Sequence, residues 1–250
     1  MILLFDIGNT RIKWATLDER GLASQSAGIH GDWDAPTFIR ETVAELPRPD
    51  RVLVSNVGGQ RIGDLLRECI AERWNLDVEF VASSAAACGV RNAYPVPANL
   101  GVDRWLGVIA AHARQQRLTC VVGVGTAMTI DGVDASGQHL GGVIVPGPDL
   151  MVGSLLRNTS EIARRAEHGV RGDALFADNT LGAIHQGAAH ALAALVEHSM
   201  NTLQRQYGAQ PSLLLTGGAA PIIERLIDVS FESIPDLVLR GLARYASALE

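Results

Sequence analysis

The 250-residue sequence has few cysteines and few aromatic residues, and it has no long hydrophobic run. Its cysteines, Cys69, Cys88 and Cys120, are odd in number and form no CxxC pair. That spacing argues against a disulfide framework or a zinc site, so we expect reduced core residues. Charge, glycine or proline interrupts every apolar run well before the ~18 residues that a membrane helix needs, and no signal peptide opens the chain. The sequence therefore predicts a cytoplasmic globular protein without a membrane partner.

The sequence also lacks an excess of positive charge. The formal net charge is −6 and the isoelectric point is near 5.6. Nucleic-acid binding depends on clustered lysine and arginine, so this balance argues against a nucleic-acid partner. An anionic substrate would have to be held locally, by backbone amides, a few placed cations or a metal ion, because the overall field repels it.

Several well-known site motifs are missing. No GxxxxGK[ST] pattern occurs, and no GxGxxG follows a predicted strand, which excludes a P-loop and a dinucleotide-binding fold. The seven histidines contain no HExxH or other dense ligand set, so they are interpreted as surface or core residues.

The stretch LLFDIGNTRIKWATL is the most informative feature that is present. An apolar run at residues 2–5 indicates a buried strand that ends at Asp6. Gly8, Asn9 and Thr10 then form a turn, and the chain returns as a second strand. Glycine and asparagine tolerate positive φ, which would let successive N–H groups converge on a phosphate. A plain hairpin, in which the aspartate and asparagine satisfy local amides, remains the alternative.

The rest of the first half alternates between strand and helix patterns. The periodicity predicts helices at residues 36–46 and 62–74 and strands at 51–55 and 78–81. A long connection over residues 82–102 follows, of the kind that often carries function. It ends in GVDRW, which places Asp103 at or near the N-cap of a helix that begins near Arg104.

The second half repeats the opening pattern. Strands are predicted at residues 118–122, 128–133, 140–145 and 213–215, and a long helix at 181–203. Because both halves begin with strand, Gly-Thr turn and strand, we expect an α/β fold of two related halves, residues 1–116 and 117–250, with a cleft between them. The small face of the long helix would suit either a dimer contact or packing within the chain.

Three strand-end turns, DIGNT at Asp6, GVGTA at Gly123 and TGGA at Thr216, together resemble the phosphate and adenosine turns of the actin, sugar kinase and Hsp70 superfamily. Within it the chain most resembles the type III pantothenate kinases, which include the Bvg accessory factor proteins. The likeness is carried by DIGNTRIKW, YPVPANLGVDRWLG, GTAMTID, GGVIVPG and TGGA. It implies two ribonuclease H-like halves, each a mixed sheet flanked by helices, and a homodimer.

The resemblance also implies ATP-dependent phosphorylation of pantothenate to 4′-phosphopantothenate, the first step of coenzyme A biosynthesis. Asp103 would be the catalytic base and Asp6 would lie near Mg²⁺. The implied ATP-binding residues are Asp6, Ile7, Gly8, Asn9, Thr10, Arg11, Ile12, Lys13, Thr126, Thr216, Gly217 and Gly218. The implied pantothenate-binding residues are Tyr94, Gly101, Val102, Asp103, Arg104 and Thr180.

Each of these residues also has an ordinary structural interpretation. Asp103 could simply cap its helix, and Arg104 could pair with a surface carboxylate. Tyr94 could anchor the loop, and Thr126 could be an ordinary strand residue. Lys13 lies on a strand, where most lysines are merely solvated.

One residue departs from the family pattern. The family commonly has an aspartate two residues before the GTA turn, linked to an activating potassium or ammonium ion, whereas this chain has Gly123. Glycine supplies no carboxylate, which puts that activation in question; Asp131, at the end of the TID strand, could replace it or cap its own hairpin. A regulatory nucleotide-binding protein with weak kinase activity, and a kinase for another hydroxyl compound, are the alternative functions.

Overall fold

The computed structural model describes residues 1–167, 170, 172 and 174–248. The chain forms two compact units, each described by itself below. The first unit comprises Met1–Gln116, Ser136–His139 and Asp236–Glu250, and the second comprises Arg117–Ala135 and Leu140–Pro235. Two segments that the sequence assigned to the second half, 136–139 and 236–250, therefore belong to the first unit.

The secondary structure mixes strands and helices along the whole chain. The strands are β1 Ile2–Ile7, β2 Arg11–Asp18, β3 Gly21–Ile29, β4 Arg51–Asn56, β5 Val78–Phe80, β6 Ala86–Ala87, β7 Val90–Arg91, β8 Thr119–Val124, β9 Ala127–Val133, β10 His139–Pro146, β11 Ser212–Thr216 and β12 Phe231–Ser233. The helices are α1 Ala35–Phe38, α2 Gln60–Trp74, α3 Val102–Arg114, α4 Pro148–Asn158, α5 Ser160–Ala166, α6 Thr180–Tyr207, α7 Pro221–Glu224 and α8 Leu237–Ser247.

Both units contain a five-stranded sheet with the same pattern of neighbours. The strand order is β3-β2-β1-β4-β5 in the first and β10-β9-β8-β11-β12 in the second. In each, the central strand pairs antiparallel with the strand that follows it and parallel with a later one. The two related α/β halves expected from the sequence are thereby confirmed.

The alternation of side chains along β1 gives the first sheet two buried faces. Leu3 and Phe5 pack in a cluster with residues of α1 and α2, whereas Leu4 packs on the other face with residues of α3 and α8. The helices α3 and α8 approach closely, since a Cβ atom added at Gly241 would lie 2.2 Å from the carbonyl oxygen of Leu106. This backbone contact explains why the C-terminal helix belongs to the first unit.

The core of the second unit lies between its sheet and the long helix α6. Val122 of β8, Ile130 of β9 and Leu215 of β11 share one buried cluster with Leu192 and Val196 of α6. Gly123, Thr129 and Thr216 lie on the opposite face of these strands.

Several elements differ from the sequence-based expectation. Strand β3 was not predicted, because only its ends carry an apolar side chain larger than alanine. The helix expected at 36–46 is the short α1 followed by a π-helical turn, Ile39–Val43. The connection at 82–102 contains the β6–β7 hairpin and a 3₁₀ turn, Pro97–Asn99. Over the described part of the chain, no helix has the length and hydropathy to cross a membrane.

Candidate active site

Asp6 lies one residue before the end of β1, on the sheet face that α3 covers. It is in register with Lys13 on β2 and with Ser55 on β4, so the three side chains form a row across the sheet. The hydroxyl of Ser55 donates a hydrogen bond to Asp6 Oδ1 at 3.2 Å. The strand pairing thus places the Asp6 carboxyl, the Lys13 side chain and the Ser55 hydroxyl side by side near the C-terminal end of β1.

Burial raises the pKa of the Asp6 carboxyl to about 6, since desolvation disfavours its charged form. Lys13 opposes this shift, the negative charge of Asp103 adds to it, and the Ser55 hydrogen bond opposes it again. Asp103 is therefore close enough for its charge to act on Asp6. Two neighbouring carboxylates, one of them buried, form a site that a bound cation would stabilise.

Asp103 is the second residue of α3 and so lies near the N-cap, as the sequence predicted. The N-cap residue is Gly101, so no side chain of that residue caps the start of the helix. Asp103 Oδ1 instead accepts the backbone N–H of Arg104 at 2.9 Å. A Cβ atom on Gly101 would lie only 2.7 Å from Asp103 Oδ1, so glycine makes room for this carboxylate. The helix N-terminus favours a negative charge at this position.

The Gly8–Asn9–Thr10 turn closes through a hydrogen bond from the Gly8 N–H to the Arg11 carbonyl at 2.9 Å. Neither Gly8 nor Asn9 lies at positive φ, so that part of the sequence argument is wrong. Gly8 instead matters for space, because a Cβ there would be 3.3 Å from the Arg11 carbonyl oxygen. Asn9 and Thr10 are exposed, which leaves the top of the turn accessible to a ligand.

Arg104 and Tyr94 form a second cluster in the first unit. Arg104 is only 7% exposed and donates through Nη1 to the Tyr94 hydroxyl at 3.1 Å, so it is not the surface residue of the alternative interpretation. The Tyr94 ring stacks on buried His139, with centroids 6.1 Å apart. His139 Nδ1 in turn accepts the N–H of Ala93 at 3.4 Å. Arginine, tyrosine and histidine hold the long loop and the start of α3 together.

In the second unit, three predicted motifs meet around the turn after β8. The Gly147 N–H donates to the Thr126 carbonyl at 2.8 Å, and the Ala219 N–H donates to the Val124 carbonyl at 3.0 Å. Gly217 has φ +101°, and a Cβ there would lie 2.2 Å from the Val124 carbonyl oxygen. Only glycine fits at this crossing, which explains the TGGA sequence.

Gly123 lies between two threonines in the sheet of the second unit. It is in register with Thr129 on β9 and Thr216 on β11. Asp131 faces the same side one row along, but it is 2% exposed and lies inside β9 rather than at its end. It therefore does not cap a hairpin. Thr180, the remaining predicted residue, is the first residue of α6, whose N-cap Asn179 accepts the Gly182 N–H.

Residues 2–202 match the family of type III pantothenate kinases. The chain belongs to that family. A type III pantothenate kinase of Nitrosococcus oceani is 37% identical, with 98% of this chain and 94% of that protein aligned. One from Azoarcus sp. is 40% identical, with 99% and 91% aligned.

The fold is shared more widely. The activator of the 2-hydroxyisocaproyl-CoA dehydratase from Clostridium difficile, solved with bound ADPNP, superimposes with a TM-score of 0.55 at 15% identity. The superposition covers 98% of this chain and 93% of that one. At that identity the likeness shows the fold alone, which confirms the actin-like architecture.

Within the first unit, the structure brings the family's Asp6 and Asp103 near each other and joins Tyr94 to Arg104. It also adds Ser55 and His139, which the sequence did not identify as site residues. Ser55 had a signal, because it closes a predicted strand at the same level as Asp6. His139 had none, since it reaches Tyr94 from a segment 45 residues away.

Proposed function

We propose that this chain transfers the γ-phosphoryl group of ATP to the hydroxyl of pantothenate, as the first step of coenzyme A biosynthesis. Membership of the type III pantothenate kinase family supports the reaction. The observation that carries the proposal within the structure is the row of Asp6, Lys13 and Ser55 across the sheet, with the negative charge of Asp103 acting on buried Asp6. Asp6 and Asp103 supply what phosphoryl transfer needs, a metal-binding acid and a proton acceptor.

Asp103 is the proposed general base. As the oxygen of the pantothenate hydroxyl bonds to phosphorus and the bond to ADP breaks, the hydroxyl proton passes to the Asp103 carboxylate. A positioned base of this kind typically contributes ~10² to 10⁴ in rate. Its position is fixed by the first turn of α3 and by the space that Gly101 leaves.

Asp6 fits the proposed Mg²⁺ site. Among the described residues, no three His, Cys, Asp or Glu side chains gather into a metal-binding group. Mg²⁺ suits such a sparse set, because it is usually held by one or two carboxylates, waters and substrate phosphates. When bound, the ion would neutralise phosphate charge, and Asp6 with Ser55 beside it would hold it.

The remaining family positions receive their roles as proposals. Residues 7–13 hold the ATP phosphates, with exposed backbone at Asn9 and Thr10, and Lys13 adds positive charge in the row with Asp6. Thr126, Thr216, Gly217 and Gly218 are the proposed nucleotide-binding residues of the second unit. Gly101, Val102, Arg104, Tyr94 and Thr180 bind pantothenate. Buried Arg104, oriented by Tyr94, is a suitable partner for the substrate carboxylate.

The direct test is an acceptor panel. Purified protein with ATP and Mg²⁺ is given pantothenate, pantothenol, glycerol or a hexose, and ADP release and product mass are followed. We expect 4′-phosphopantothenate as the main product, with little turnover of the others. Faster phosphorylation of another acceptor, or no ADP release with any, would refute the proposal.

We further propose a homodimer formed through the second unit. Exposed apolar side chains cluster there in sequence, including Val143, Ile144, Leu150 and Leu155. Strand β10, which carries the first two, is an edge strand. A molar mass of one chain by light scattering would contradict this.

A further inference from the structure

His30 is a buried histidine beside the proposed phosphate-binding turn. It is 3% exposed, and its Nε2 lies 2.8 Å from the carbonyl oxygen of Gly8. A carbonyl oxygen only accepts hydrogen bonds, so Nε2 carries the proton. The backbone N–H of His30 also donates to the Thr10 carbonyl at 3.3 Å. One residue therefore bonds to both sides of the turn.

The Gly8 carbonyl is confined from a second direction. A Cβ atom on Gly58 would lie 2.4 Å from this oxygen, so the backbone after β4 packs directly against it. The N–H groups of Val57 and Gly58 both donate to the Ile7 carbonyl, at 2.9 and 3.1 Å. With His30 on one side and Gly58 on the other, the peptide between Gly8 and Asn9 has a single orientation.

Arg61, near the start of α2, fixes the loop that carries His30. Its guanidinium donates to the carbonyl oxygens of His30, Gly31 and Trp33, at 3.2, 2.9 and 3.2 Å. The planar guanidinium of arginine donates to these carbonyl oxygens in a fixed geometry, which the flexible ammonium of lysine does not provide. The contacts form a continuous series from α2 through the loop to the turn.

We propose that His30, held by Arg61, is a positioning residue that orients the Gly8–Thr10 backbone for ATP phosphate. This inference rests on the proposed function only for its ligand, since the contacts themselves belong to the turn. A turn that is already ordered binds phosphate without the entropy cost of ordering its backbone. His30 Nδ1 is buried without a hydrogen-bond partner among the described residues, so the ring is held through its Nε2 contact with Gly8.

The test compares two substitutions of His30. In His30→Phe the ring shape remains but the donor is lost, and we expect KM for ATP to rise about tenfold or more while KM for pantothenate stays within about twofold. In His30→Gln the amide nitrogen can replace Nε2, and we expect most of the ATP affinity to return. His112→Phe is the matched control, because His112 is another buried histidine with an unpartnered Nδ1, distant from the turn in sequence.

Hydrogen exchange at the amides of residues 8–10 in ligand-free protein separates this inference from the proposed function. Faster exchange in His30→Phe but not in His112→Phe is expected whether or not pantothenate is the substrate. Arg61→Gln, at an exposed site, should give a smaller effect in the same direction and serves if His30→Phe does not fold. Unchanged exchange and unchanged KM for ATP in these variants would overturn the inference, even if the parent phosphorylates pantothenate.

Discussion

At the scale of single residues, Asp6 shows what it costs in stability to bury a carboxylate. Its pKa is raised to about 6 from an ordinary 3.8, mainly by desolvation. The folded state therefore binds the proton more tightly than the unfolded state, and ionising Asp6 costs stability. That penalty is absent below about pH 4, grows as pH rises, and is complete above about pH 6.

Asp6→Asn removes this penalty. In metal-free buffer we expect the variant to gain stability relative to the parent as pH rises from 4 to 7, by at most on the order of 3 kcal/mol. Its Mg²⁺-dependent activity should nevertheless be lost. Urea unfolding across this pH range measures the first effect, and Asp32→Asn, at an exposed carboxylate, is the control. A stability difference that is independent of pH would show that the pKa of Asp6 is not raised in the folded state. Mg²⁺ titrations that match those of the parent would show that Asp6 does not bind the metal ion.

Gly123 stands where the resemblance to the family led us to expect an aspartate. Without a carboxylate, a monovalent cation there would depend on carbonyl oxygens, the neighbouring threonines and water, and should bind weakly. We expect replacement of potassium by a large organic cation, at constant ionic strength, to change the rate only modestly. Strict potassium dependence of the parent would contradict this.

Gly123→Asp should increase the response to potassium. The new Cβ would lie 3.1 Å from Thr129 Oγ1, so that side chain must shift slightly to admit it. Gly123→Ala introduces the same Cβ without the carboxylate and is the matched control. An equal potassium response in the two variants would show that the carboxylate is not what the site lacks.

At the scale of elements, α3 connects packing to chemistry. Its N-terminal turn carries Asp103, and its middle is pressed against α8 at Gly241. Glycine-to-alanine substitutions in α8 and in α6 should therefore have opposite effects on the stability of the protein.

Gly241→Ala should destabilise the protein by about 1 to 3 kcal/mol and lower kcat, because its Cβ would lie 2.2 Å from the rigid Leu106 carbonyl. Gly187→Ala, in α6, should stabilise it by ~0.5 to 1 kcal/mol, since nothing lies within 4 Å of its Cβ. Urea unfolding of the two variants provides the comparison. A loss of stability no larger in Gly241→Ala than in Gly187→Ala would mean that the α3–α8 contact is not tight.

The sequence predicted those elements whose side chains follow a strict period. The strands β1, β4, β8 and β11 and the helices α2 and α6 were found because burial imposes a pattern on them. Strand β3 was missed because its middle residues are exposed and small. The turn motifs were found from their residue types, yet the positive φ assigned to Gly8 was wrong, since glycine there relieves crowding instead.

At the scale of the whole molecule, one five-stranded pattern occurs twice and the copies carry different chemistry. The first holds the two acids, and the second holds the small-residue turns around Thr126. A duplicated fold can be recognised from local signals, because each copy repeats them. The boundaries of the two copies cannot be recognised in this way, because residues 136–139 and 236–250 join the first unit through contacts with residues distant in sequence. For the same reason His30 and His139 became apparent only in three dimensions.

The central claim is that Asp103 accepts the proton of the pantothenate hydroxyl, and kcat of Asp103→Asn with ATP, Mg²⁺ and pantothenate tests it most directly. Asparagine keeps the size of the side chain and its contact with the Arg104 N–H but cannot act as the base. We expect a kcat at least ~100-fold below that of the parent, with ATP affinity unchanged. A kcat within a few fold of the parent would remove Asp103 from the mechanism.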